Sequence, residues 1–283
     1  MTTTKVWKPD HLKAVWELTE QFQEDCCYTV DGIRVTAGAG RETIALDALT
    51  ELHQGLCERK GTIYAGPLVT YEELMHHPLI QREAPLLAEA CRKGLLESER
   101  QMAFAVDVLL QSGAALLPLL LYDAVLIWAL PEGVKQQPLE EWLKEDTSEK
   151  RVLLAVEIHP VPICGETLRF FRTSGKPDMF TSSRVTAAGV VTFTLEGDVS
   201  DVRLAAGSGH HAPVRLRGTE DLFRRSSARK LFPALVYQQI KEEFKPPHDL
   251  FASSGYQGSQ TANLIVKEWQ RRGRDHHAET VHG

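Results

Sequence analysis

A chain of 283 residues, 43% hydrophobic and 25% charged, has the length for about two domains with proper cores and the make-up of an ordinary globular protein. Its net charge of −6 argues against nucleic acid or an anionic membrane surface as the main partner. The start lacks the apolar run of a secretory leader, and the longest apolar run, Ala114 to Tyr122, is too short to span a bilayer, so a cytoplasmic location is expected.

Five cysteines, Cys26, Cys27, Cys57, Cys91 and Cys164, show no Cys-x-x-Cys spacing. An odd count without that spacing argues against a disulfide framework and against a zinc or iron–sulfur site in this chain. If iron–sulfur clusters matter, a partner carries them. The adjacent Cys26-Cys27 pair reads as inert structural thiols in preference to a redox couple.

Pro9-Asp10 opens a helix, with an acid to meet the helix dipole, and Leu12, Val15, Trp16, Thr19 and Phe22 recur on one face. Asp31-Gly32 suits a tight turn, Ile33-Arg34-Val35 a short strand, and Ile44-Ala45-Leu46-Asp47 a second strand. Between them lies the small-residue stretch Thr36-Ala37-Gly38-Ala39-Gly40-Arg41. Its reading is either a surface loop or a phosphate cradle of bare backbone amides.

The strand Thr62-Ile63-Tyr64-Ala65-Gly66 leads into Pro67-Leu68-Val69-Thr70-Tyr71-Glu72-Glu73-Leu74, where Thr70 and Glu73 form a capping box for a helix from Tyr71. His76-His77-Pro78 ends that helix, and adjacent histidines are poor geometry for a shared metal. A helical tract follows over Pro78-Leu79-Ile80-Gln81-Arg82-Glu83-Ala84-Pro85-Leu86-Leu87-Ala88-Glu89-Ala90. Then come Leu116-Leu117-Pro118-Leu119-Leu120-Leu121-Tyr122-Asp123 and the strand Ala124–Leu130. A turn at Pro131-Glu132-Gly133, a short helix from Pro138 to Leu143 and a solvated charge run over Lys144–Lys150 lead to the strand Val152–Ile158.

This order resembles the flavoprotein (FAD-binding, medium) subunit of the molybdenum hydroxylases, the xanthine dehydrogenase and CO dehydrogenase family. That family carries a Gly-Ala-x-x-Thr-x-x-Glu-Leu stretch before a Pro-Leu-Ile…Ala-Pro-Leu-Leu-Ala-Glu-Ala helix. Beyond a hinge at Pro160-Val161-Pro162, strands at Leu168–Arg172, Val185–Phe193 and Val202–Gly207 follow, with a turn at Gly197-Asp198. Helices are expected over about 228–244 and 260–271. The segments Val202-Arg203-Leu204-Ala205-Ala206-Gly207…Ala212-Pro213-Val214-Arg215 and Ser254-Gly255-Tyr256 resemble the C-terminal domain of the same flavoproteins.

The resemblance implies an α+β fold: a two-lobed FAD-binding domain of the molybdenum hydroxylase flavoprotein type (lobes 1–60 and 61–160), followed by a C-terminal antiparallel sheet-plus-helices domain (165–272) and a mobile tail (273–283). It implies FAD held by Thr36, Ala37, Gly38, Ala39, Gly40 and Arg41, where the family has Ala-Gly-Gly-Thr-Asp. It puts Phe104-Ala105 or Ala105-Val106 at a second pair of glycines that closes over the flavin in the family. A bulky or β-branched residue there cannot take the left-handed turn, so residues 101–110 must differ in shape or form a helix. Asp107 adds a charge unwelcome beside phosphate. Leu153 stands where a family leucine touches the flavin, with a plain core leucine as the other reading. Arg172 stands where the family has a lysine near the flavin ring, with a surface arginine as the other reading.

The implied function is a FAD-binding electron-transfer subunit of a xanthine-dehydrogenase-like complex, an oxidoreductase component if FAD is bound. It would work beside an iron–sulfur small subunit and a molybdopterin large subunit, with self-association left open. The alternative is a flavin-free structural or assembly paralogue. An unrelated small-molecule binder on the same fold ranks last. No Ser/His/Asp triad, P-loop or paired-carboxylate site competes with these readings.

Overall fold

The computed structural model describes residues 5–36, 40–145, 149–161, 165–174, 185–208, 211–225, 231–248 and 252–280, apart from the side chains of residues 24 and 272–280. Three sheets follow one another along the chain. The first has the order β1 (Val6–Trp7), β4 (Glu42–Ala45), β2 (Cys26–Val30), β3 (Ile33–Arg34), with β4 parallel to both neighbours. Helix α1 (Leu12–Phe22) lays Val15 against Cys26, Tyr28, Ile44 and Leu49. The Thr19 hydroxyl bonds both the Val15 carbonyl and the Tyr28 hydroxyl, which ties α1 to β2.

The second sheet is antiparallel, in the order β5 (Leu56–Arg59), β6 (Thr62–Ala65), β9 (Val152–Ile158), β7 (Val125–Leu130), β8 (Gly133–Pro138). Strand β5 thus pairs with the second sheet, although its residues precede position 60. Helices α2 (Tyr71–His76), α3 (Pro78–Glu83), α4 (Pro85–Gly94), α5 (Ala105–Leu109), α6 (Leu116–Leu121) and α7 (Leu139–Trp142) belong to the same part of the chain. The capping box at Thr70 is present, with the Glu73 carboxylate on the Thr70 amide and the Thr70 hydroxyl on the Glu73 amide. The expected single helix over 78–90 is two, because Pro85 has no amide hydrogen to continue the ladder and biases Ala84 away from helical geometry.

The third sheet is antiparallel: β10 (Thr167–Thr173), β11 (Val185–Phe193), β12 (Val199–Ser208), β13 (His211–Arg215). It is buried on both faces. Phe171, Ala188, Val190 and Ala205 face the core shared with α4 and α6. Phe170, Ala187, Val191, Leu204 and Ala206 face α8 (Arg217–Arg225), α9 (Pro233–Glu243) and α10 (Ser254–Thr280). Double burial explains why Ala187-Ala188-Gly189 and Ala205-Ala206-Gly207 are small in the middle of long strands: layers pack closely above and below.

Among the described residues three helices follow this sheet, where two are expected from the sequence. Helix α8 is dominated by Arg, Glu and Asp, and its buried face is carried by only Thr219, Glu220 and Phe223. Helix α10 starts earlier than expected, and its backbone stays helical through Thr280, across most of the segment expected as a mobile tail. Pro162 and Cys164 of the hinge region lie outside the described residues. Cys26, Cys27, Cys57 and Cys91 are free thiols, and the described residues hold no group of three metal-ligating side chains. No helix among them is long and apolar enough to cross a membrane.

The third sheet is fastened to the second part of the chain by ions. Arg203 Nη1 donates to the Leu121 carbonyl and meets Asp123 Oδ2, each at 2.7 Å. Arg215 Nη1 donates to the Leu120 carbonyl at 3.0 Å and to Asp123 Oδ1 at 2.8 Å, while its Nε holds Glu220 at 2.6 Å. Arg215 is 2% exposed and Glu220 0%, so Arg215→Ala leaves a carboxylate buried with weaker partners. A loss of about 3 kcal/mol in denaturant unfolding is expected. Arg203→Ala, at a more open position, costs about 1 kcal/mol by the same measurement.

Candidate functional site

Of the residues expected to hold a dinucleotide, Thr36, Gly40 and Arg41 lie along β2, and Phe104 and Ala105 lie near the turn that follows it. The Thr36 hydroxyl accepts from the Tyr28 amide at 2.8 Å, and the Arg41 amide donates to Asp25 Oδ1 at 3.2 Å. Gly40 is buried against the Asp25-Cys26 backbone, where a Cβ would come within 2.7 Å of two carbonyl carbons. The glycine is there for close approach between two segments of this chain. Ala37, Gly38 and Ala39 lie outside the described residues.

The second group sits by the turn at the end of β2. There Asp31 (φ 50°) and Gly32 (φ 73°) make the two-residue hairpin turn to β3, both in the left-handed region that such a turn demands. The Asp31 amide donates to Asp47 Oδ1 at 2.7 Å. Asp31 Oδ2 accepts from the Ala103 amide at 2.5 Å, joining the first sheet to the stretch before α5. Phe104 and Ala105 follow at once.

The stretch takes no left-handed turn at Phe104: Ala103 bridges to Thr70, and a short helix follows from Ala105. Phe104 has φ −64° and Ala105 begins α5; left-handed residues come later, at Gln111 (φ 53°) and Gly113 (φ 129°). Four amides of this stretch are already spoken for. Ala103 donates to Asp31, Phe104 to the Val69 carbonyl at 3.0 Å, Val106 to Ala103 at 3.1 Å and Asp107 to Phe104 at 3.1 Å. Phe104 and Ala105 are 0% exposed and Leu153 is 2% exposed, all three within the main core. Leu153 pairs with Trp128 beside an irregularity in the β7–β9 ladder.

Arg172 is engaged elsewhere too. Its Nε and Nη2 grip both oxygens of Glu268 on α10 at 2.7 and 2.9 Å, and Nη1 donates to the Phe171 carbonyl at 3.0 Å. This bidentate pair ties β10 to α10. Placed so, the described residues around Phe104 offer a diphosphate few bare amides, because four of them serve the chain's own acceptors, and the Asp31 and Asp47 carboxylates stand at the nearby turn. A phosphate brought within about 4 Å of either carboxylate would meet a repulsion of about 1–4 kcal/mol at effective dielectrics between bulk water and a protein surface.

Sequence reasoning passed over Asp31, which reads as plain turn chemistry, and treated Asp107 only as a misplaced charge. Asp107 has a structural task. Its carboxyl accepts from the Tyr71 hydroxyl and from the Ala115 amide at 3.3 Å, and its carbonyl accepts from Ser112. A Cβ at Gly113 would lie 2.0 Å from the carboxyl carbon, so the bend must pass as glycine. The residue is part-exposed, but its carboxyl is enclosed. Burial pushes its pKa up to about 7, opposed by the Tyr71 and Ala115 hydrogen bonds and reinforced by the charge of Glu99. Burial likewise raises the Tyr71 hydroxyl and the Cys91 thiol, each with Asp107 as a further cause.

The sign of the resulting pH dependence follows. A carboxyl whose folded pKa is raised favours the fold below its unfolded pKa, and that contribution is lost as pH rises through about 7. From pH 5 to pH 8 this group should therefore cost the fold about 1–3 kcal/mol. Asp107→Asn keeps an acceptor and removes the titration. Denaturation curves at pH 5 and pH 8 should lie closer together for Asp107→Asn than for the native chain.

No family profile and no curated protein sequence matches the chain. Solved structures do match. A chain of the carbon monoxide dehydrogenase from Hydrogenophaga pseudoflava, in a form lacking the Mo-pyranopterin moiety of the molybdenum cofactor, aligns with TM-score 0.79 at 16% identity, covering 93% of this chain and 94% of that one. A reconstituted CO dehydrogenase from Oligotropha carboxidovorans gives TM-score 0.80 at 13% identity, over 94% and 96%. Quinoline 2-oxidoreductase from Pseudomonas putida 86 gives 0.76 at 16%, over 95% and 97%. Over 93–95% of its length, the chain has the mixed α+β fold of a chain found in these oxidoreductases.

Proposed function

We propose that this chain occupies the medium-subunit position of a molybdenum-hydroxylase-type oxidoreductase complex and acts there as a structural or assembly component with no firmly held flavin. The observation that carries this reading is the state of the amides around Phe104. A diphosphate cradle needs bare N–H groups, and those of Ala103, Phe104, Val106 and Asp107 end on Asp31 and on backbone carbonyls. Arg172 supports it, since its guanidinium is held by Glu268.

The second reading is a FAD-binding electron-transfer subunit. It is favoured by the fold's completeness, because the likeness covers 93–95% of this chain and at least 94% of the matched chains. In that reading Thr36 to Arg41 carry the cofactor, and electrons pass from molybdopterin through iron–sulfur clusters to the flavin. In both readings the partners are an iron–sulfur small subunit and a molybdopterin large subunit.

Absorption spectra of the purified protein separate the two. Expected is no flavin band after incubation with excess FAD and gel filtration, together with co-purification of iron–sulfur and molybdenum subunits from the native source. Flavin near-stoichiometric with protein would overturn the first reading in favour of the second. Absence of both partner subunits from the purified native protein would sink the shared part of the two.

A further inference from the structure

We propose that Asp31 is a built-in anion, a side chain that does for this fold what a bound diphosphate would do: it supplies the negative charge through which the β2–β3 turn and the stretch at Ala103 are held together. The inference rests on the flavin-free reading and deepens it, by naming the residue that takes the ligand's place.

Three observations converge on Asp31. Its Oδ2 is 2.5 Å from the Ala103 amide, a link between residues 72 positions apart that joins the first sheet to the residues expected to close over a flavin. Among the described residues no other group bonds that carboxylate, so its charge is given to one backbone N–H. Its own amide is held by Asp47 Oδ1 at 2.7 Å, which fixes the turn from the opposite side. Asp31 itself is exposed, at the margin of the core cluster that holds Val30, Ala103 and Val106, with Ile33 and Val35 packed against it. A carboxylate-to-amide bond is stronger than a neutral one.

The backbone at this point is also strained in favour of the arrangement. Asp31 is a non-glycine residue at φ 50°, a conformation aspartate and asparagine tolerate better than other side chains. Asn-Gly is an equally good two-residue turn, so Asp31→Asn removes the charge and leaves the turn intact. Asp31→Gly removes the side chain altogether and also tolerates the dihedral. These two variants separate the anion from the bend.

The experiment is thermal unfolding of the full chain, native and variant, with and without 1 mM inorganic pyrophosphate, against a chloride control of equal ionic strength. FAD binding by absorption and exchange of the Ala103 amide complete it. The native chain is expected to be unmoved by pyrophosphate, to bind no FAD and to protect the Ala103 amide. Asp31→Gly should melt roughly 3–8 °C lower and lose that protection, and Asp31→Asn, which keeps an acceptor without the charge, should lie between it and the native chain. Pyrophosphate should return at least half of the loss in Asp31→Gly and leave the native value unchanged. Variants that melt with the native chain, or a loss in Asp31→Gly that pyrophosphate does not touch, overturn the inference and leave the flavin-free reading standing. Stoichiometric FAD on the native chain overturns both.

Discussion

Two arginines of the C-terminal sheet converge on the last turn of α6, and the relation between the second and third sheets depends on that contact. The carbonyls of Leu120 and Leu121 lie at a helix end, where Leu120 accepts a backbone bond from the turn at Asp123, and a positive charge suits both on hydrogen-bonding and dipole grounds. Arg203 and Arg215 supply it, and Asp123, turned back at φ 45°, places one carboxylate oxygen on each guanidinium. Glu220 closes the far side by accepting from Arg215 and from the Leu204 amide. A buried ion pair of this kind adds little net stability over an apolar substitute. What it adds is register, because only one placement of β12 and β13 over α6 satisfies every member. With that register set, Phe171, Ala188, Val190 and Ala205 meet the core of the second part at the right depth.

The same device recurs at smaller scale, and it bears on the cofactor question. Asp25 accepts from the Arg41 amide, Asp47 from Asp31, Asp31 from Ala103, and Asp107 from Ala115. Each of these carboxylates caps a bend with an anion that belongs to the chain. A fold that grips a dinucleotide works the other way round, leaving amides bare so that the ligand's phosphates complete them. Here the completion is internal at each of these bends, and the chain's net negative charge is consistent with acids spent as acceptors.

Much of the fold was legible because its signals are local. The Thr70–Glu73 capping box, the Asp31-Gly32 turn and the uninterrupted apolar strand Val152–Ile158 need no tertiary partner to be recognised. The absence of glycine at 104–106 excluded a left-handed turn and left a different bend or a helix, and a short helix runs from Ala105. Strand β8 was not legible, since Lys135 and Gln136 face solvent at a sheet edge and its pairing comes from the hairpin with β7. Helix α8 was missed for a related reason: Glu220 is buried, which inverts the usual reading of a charged residue. The site residues were the least legible. Whether Arg172 faces a ligand or Glu268, 96 positions away, is decided by how α10 packs on the third sheet, and that information is spread over the whole C-terminal part.

A protein that gives up a ligand also gives up the stability the ligand supplied. A dinucleotide present at a hundred times its dissociation constant contributes about 2.7 kcal/mol by mass action. On the proposed reading that amount must come back from the chain, and the residues around Phe104 can return it. Replacing a glycine turn by Phe104, wholly buried among Val69, Leu87 and Ala105, removes an aromatic side chain from water, which is worth about 2–3 kcal/mol. Turning the stretch into α5 also satisfies amides that an empty cradle would leave exposed to competition with water. The two terms agree within their precision. The departures from a flavin-binding pattern therefore need not be damage: the same substitutions that close the cradle also stabilise the apo fold, which is what a subunit kept for its shape and contacts requires.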